Sequence, residues 1–190
     1  MKTGKVVRIL AVALGIALVT TMASAQAINS GAQTIALNAT LTESLTLSLT
    51  ANAVNFTLAA GSAANAGSTS ITATTAWVLK PGRTAVGVYA YFASAAAALT
   101  DGAGDNIPSS AFFIADNAQP STALTASVPF GGALAGLQLG GANTAITGAN
   151  RNSNRTDVMA FNINLTGGTL PQLPAALYTG TLNIQAQATP

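Results

Sequence analysis

Alternation with a period of two is the feature that most restricts how this chain can fold. Ile35, Leu37, Ala39 and Leu41 alternate with Thr34, Ala36, Asn38 and Thr40, and Leu45, Leu47 and Leu49 alternate with Thr46, Ser48 and Thr50. Side chains of a β-strand point to opposite faces in turn, so each run buries one face and leaves the other to solvent. After the first 25 residues no long apolar stripe with a 3.6-residue period follows, so the fold class is all-β.

Further strands are expected over 71–79 and 86–92, joined through Pro81-Gly82-Arg83 as a hairpin, and over 110–115, 123–130, 158–165 and from Tyr178 to the end. Val54, Phe56 and Leu58 occupy even positions where Leu45 to Leu49 occupy odd ones, which calls for a turn or bulge near Asn52. About seven to nine strands separated by turn signals fit an Ig-like antiparallel β-sandwich. A transmembrane barrel also alternates, but it wants strands of about ten residues with aromatic girdles. Here aromatic residues are only 5% of the chain and the last residue is Pro190.

The N-terminus reads as an export signal over residues 1–25. Lys2, Lys5 and Arg8 precede an apolar run that ends at Ala23-Ser24-Ala25, and the run falls short of the roughly 20 apolar residues of a membrane span. The alternative is a retained anchor helix. Removal of 1–25 leaves one domain over 26–190, with 26–42 as a donor or edge strand and no membrane span. It also leaves Lys80, Arg83, Arg151 and Arg155 against Glu43, Asp101, Asp105, Asp116 and Asp157, a formal charge of −1. The basic balance of the whole chain thus belongs to the signal, and a nucleic-acid partner loses its support.

Cysteine and histidine are both absent. Their absence removes disulfides, thiol nucleophiles, the commonest general base and the usual ligands of zinc, copper and iron. No pair among the five carboxyls forms a recognisable acid/base motif, and the expected activity is none. No cofactor is expected, with calcium as the one candidate: Asp101, Asp105 and Asn106 in Asp101-Gly102-Ala103-Gly104-Asp105-Asn106 could offer oxygens to a hard cation, or could form a plain turn. Asn150 to Asp157 is the only basic cluster and is expected to be a solvated loop. Trp77, Arg151 and Arg155 are the candidate ligand contacts, although Trp77 is expected first of all as the core's largest filler, with sugar stacking as the alternative. Charged residues make up 6% of the chain against roughly 25% in ordinary soluble domains. A polar but nearly uncharged surface repels its own copies weakly, as suits a protein that packs against itself.

Two stretches carry a family resemblance: "TLTESLTLSLTANAVNFTL" at 40–58 and "LPAALYTGTLNIQAQA" at 173–188. Both resemble secreted bacterial β-sandwich proteins of the spore coat protein U and fimbrial (pilin) subunit type. The resemblance implies export to the periplasm, cell surface or extracellular space. It also implies a structural role as a coat, matrix or pilus-like subunit, and partners that are copies of itself, other surface subunits or a periplasmic assembly chaperone. In pilus members one subunit's N-terminal segment completes the next subunit's sheet. Here Ile35, Leu37, Ala39 and Leu41 would be the assembly strand, or would pair within their own chain. A monomeric surface adhesin or carbohydrate-binding module is the alternative.

Overall fold

The computed structural model describes residues 28–190, so the signal assignment and the proposed start at Gln26 lie outside the described residues. The described chain divides after Thr40. Residues 28–40 contain no helix or strand, and Ile28, Ile35 and Leu37 are exposed. The expected strand over 35–41 is therefore not formed by pairing within this unit.

Residues 41–190 build an antiparallel β-sandwich. Twelve strands follow in order: β1 (Ser44–Leu49), β2 (Asn65–Ala66), β3 (Ile71–Val78), β4 (Ala85–Tyr91), β5 (Leu99–Thr100), β6 (Asn106–Ile107), β7 (Phe112–Asp116), β8 (Thr122–Ala123), β9 (Gly136–Gln138), β10 (Thr144–Ala145), β11 (Asn152–Ile163) and β12 (Asn183–Thr189). The count exceeds the expected seven to nine because five of them are two-residue ladders. The larger sheet has the order β1-β3-β11-β7-β8, with β2 also on β11. The smaller has the order β10-β4-β12, with β9 also on β4, and β5 and β6 form a separate ribbon. Both orders are open rather than closed into a barrel. Among the described residues no helix is long and apolar enough to cross a membrane.

The alternation sorts side chains as the pleat requires. Ile71, Ala73, Thr75 and Trp77 of β3 and Asp157, Met159, Phe161 and Ile163 of β11 are buried, as are Val86, Val88 and Ala90 of β4. Phe112 packs edge-to-face on Phe92 at 5.2 Å between centroids, which locks the two sheets together at mid-core. Burying a side chain of this size is worth about 1.5–3 kcal/mol, so this row is a main source of cohesion.

Four expectations need correction. The segments at 71–79 and 86–92 are not a hairpin, because β3 and β4 lie in different sheets and Pro81-Gly82 turns a corner of the sandwich. Residues 152–157 are not a solvated loop but the first half of β11, with Asp157 buried. Of the strand expected at 123–130 only β8 forms; beyond it the chain leaves the larger sheet, and Ala126 bridges Gly136 beside the smaller one. The C-terminal strand, for which 158–165 or the N-terminal strand is the neighbour expected from sequence, pairs instead with β4, from Asn183↔Tyr91 to Thr189↔Ala85.

Candidate functional site: an open apolar groove

β1 and β12 are the free edges of the two sheets: among the described residues each pairs with a neighbour on one side only. At one end these edges are tied. The Arg83 Nε–H donates to Glu43 Oε1 at 2.8 Å, and Arg83 Nη1 donates to the Ala188 carbonyl at 3.3 Å. Arg83 holds the Glu43 carboxyl below its usual range, chiefly through that hydrogen bond.

At the other end the edges part. Beyond Leu49 the chain makes no ladder through residues 51–58, and only an isolated bridge, Phe56↔Gly67, fixes it. On the facing side residues 174–182 do not join β4. They swing out to the β5–β6 ribbon, where Thr179 and Thr100 exchange backbone hydrogen bonds at 2.9 Å in each direction. Gly180 permits this detour, because a Cβ there would overlap the carbonyl of Ala98. Tyr178 lies half-buried on the same swing, its hydroxyl donating to the Pro174 carbonyl at 3.1 Å.

Between the parted edges lies a groove of about 780 Å³. Its floor comes from Phe112, Met159, Phe161 and Ile163, and its walls from Val54, Phe56, Leu173 and Leu182. It holds none of the charged side chains. Such a surface takes an apolar occupant, and the edge strands β1 and β12 beside it each pair on one side only, as a strand that accepts an extended chain must.

The residues singled out from sequence fall elsewhere. Trp77 is 2% exposed and its Nε1–H donates to the Asn150 carbonyl at 2.8 Å, so it is core filler and presents no face to a ligand. Arg155 is turned inward onto Asp157, and Arg151 is half-buried with its Nε enclosed and without a hydrogen-bond partner. In the β5–β6 turn, Asp101 Oδ1 accepts the backbone N–H groups of Ala103, Gly104 and Asp105 at 2.9–3.1 Å, and the first of these bonds leads in lowering its pKa. That is the geometry of a plain Asx-type turn. Asn106 turns its amide to the Gly104 carbonyl, and among the described residues no cluster of three acidic side chains is placed to hold a metal. Ile35, Leu37 and Leu41 are exposed.

Neither sheet turns a charged side chain outward. The three charged residues of the larger sheet, Asp116, Arg155 and Asp157, face inward, and β4, β9, β10 and β12 contain no Asp, Glu, Lys or Arg. No family model, no curated protein and no solved structure matches this chain, and the likeness carried by its two ends stands on those residues alone.

Proposed function

We propose that this chain is a secreted, non-enzymatic structural protein of the bacterial cell surface, a coat, matrix or pilus-like subunit that assembles by β-strand addition. The observation that carries the reading is the groove: apolar side chains line its floor, and residues 51–58 and 174–182 at its rims belong to neither of the two main sheet ladders, which suits an incoming strand. The occupant is residues 33–41 of a second copy. Ile35, Leu37, Ala39 and Leu41 alternate with Thr34, Ala36, Asn38 and Thr40, so one face of that strand is apolar and the other is not. Leaving three large aliphatic side chains in water is unfavourable, and the groove offers them a surface of matching chemistry. Nine residues at about 3.3 Å each extend roughly 30 Å, enough to run the length of a sandwich edge. The charge-free sheet faces favour the same outcome, since copies approach without like-charge repulsion.

The test compares the chain with a form lacking residues 26–42 by size analysis and electron microscopy. Assembly is expected only with the segment present, and the shortened form is expected to bind a synthetic peptide of residues 33–41. Dispersed monomers of the longer form under all conditions, or a shortened form that ignores the peptide, would overturn the reading.

A further inference from the structure

The core of a sandwich this poor in charge holds three ionisable side chains at one place. Asp116 ends β7, Arg155 and Asp157 lie on β11, and the two carboxylates are 3% and 1% exposed. Arg155 Nε donates to both oxygens of Asp157 at 2.9 Å, and its Nη2 donates to Asp157 Oδ1 at 2.6 Å. The rest of the guanidinium reaches across the sandwich: Nη2 donates to the Leu139 carbonyl at 2.6 Å and Nη1 to the Ala142 carbonyl at 3.3 Å. Asp116 reaches the same loop, its Oδ2 accepting the Gly140 N–H. Gly140 is held at φ +70°, and a Cβ there would overlap the guanidinium of Arg155. These bonds join the larger sheet to the loop between β9 and β10 of the smaller one.

Among the described residues three buried side-chain polar atoms lack a hydrogen-bond partner, Thr75 Oγ1, Arg151 Nε and Asp116 Oδ1, and the last belongs to this cluster. One guanidinium already engaged by Asp157 does not neutralise two buried carboxylates, and an unpaired buried charge is costly. A proton on Asp116 removes the excess charge and lets its hydroxyl donate to the neighbouring Asp157.

We infer that Asp116, Arg155 and Asp157 form a pH-sensitive clasp between the larger sheet and the β9–β10 loop: with Asp116 protonated the buried cluster is balanced in charge, and ionisation of Asp116 sets a second, unneutralised carboxylate beside Asp157 and destabilises the folded chain. Burial pushes the Asp116 carboxyl above its ordinary range, the Asp157 carboxylate pushes the same way, and the Gly140 N–H and Arg155 oppose them. Asp157 and Arg155 come from β11 and the Gly140 N–H from the loop; β8 brings no titratable group, β3 brings neutral Thr75, and the titratable groups of β4 are Tyr89, whose hydroxyl donates to Asn143 Oδ1, and Tyr91, whose hydroxyl donates to Gln185 Oε1.

The sign follows from linkage. The folded state binds the Asp116 proton more tightly than the unfolded chain, so this contribution is complete below the ordinary aspartate value and is lost as pH rises through the higher folded value. The same loop carries Asn143, whose Oδ1 accepts the Tyr89 hydroxyl at 3.2 Å, and it follows the fully buried Leu139. The inference does not depend on strand addition.

The experiment is an NMR titration of the Gly140 amide in the whole protein, alongside urea midpoints of the parent and of Asp116→Asn across the same pH range. The Gly140 resonance is expected to titrate above the ordinary aspartate range. The parent midpoint is expected to fall over that window, and the Asp116→Asn midpoint to stay level through it. A Gly140 amide that does not move there, or a variant whose midpoint falls in parallel with the parent's, overturns the clasp. Should Asp116→Asn fail to fold, the Gly140 titration of the parent decides alone.

Discussion

Leu37→Ser separates assembly from folding. Leu37 is 91% exposed, and residues 28–40 form no strand, so the substitution removes no packing within its own chain. Exposed substitutions of this kind usually stay within about 0.5 kcal/mol, and the unfolding midpoint of the isolated subunit should hold. In an added strand Leu37 lies at the middle of the apolar row, between Ile35 and Ala39, and is buried. Burying a leucine is worth about 1.5–3 kcal/mol. At about 1.4 kcal/mol per tenfold, losing it weakens association by roughly 10- to 150-fold. Asn38→Ser, on the opposite face of the same strand, is the control and should leave association nearly unchanged. Sedimentation velocity over a concentration series measures both. Equal effects of the two substitutions, or none from Leu37→Ser, would refute the pairing of alternate residues with the groove; a lowered midpoint would refute the expectation that an exposed Leu37 adds nothing to the stability of the isolated subunit.

Trp77→Ala should cost about 3–5 kcal/mol, as large-to-small changes in packed cores do, and lower the melting temperature by roughly 6–20 °C; calorimetry checks this. The acid flank of stability has a different origin from the clasp. Glu43 and Asp101 have folded values below their usual ranges, so their contributions are present above those ranges and lost as pH falls through the folded values. Arg83→Gln should therefore flatten the acid flank in a urea-midpoint profile while leaving the flank due to Asp116 in place.

Much of the fold was legible because it rests on local alternation. Met159, Phe161, Ile163 and Leu165 were expected inward and are buried, and Trp77 is the core filler that its place in an odd-numbered row suggested. What alternation leaves open is which sheet a strand joins. Pro81-Gly82 presets the same backbone angles whether the chain doubles back or turns a corner, so β3 and β4 could not be assigned to separate sheets from the turn alone. Arg155 and Asp157 were missed although a signal existed: they occupy odd positions in phase with Met159 and Phe161. Their charge argued for solvent and masked the phase. The candidate assembly strand was legible as a pattern. The groove was not, because it forms where residues 51–58 and 174–182, far apart in sequence, both leave their ladders.

The charge-free outer faces of the sandwich bear on how the protein behaves in its surroundings. Ions act on a contact by shielding fixed charges over a Debye length of about 8–10 Å at physiological strength, and here the broad surfaces carry nothing to shield. Charge shielding would accordingly change any face-to-face contact between copies little, which suits the structural role proposed above.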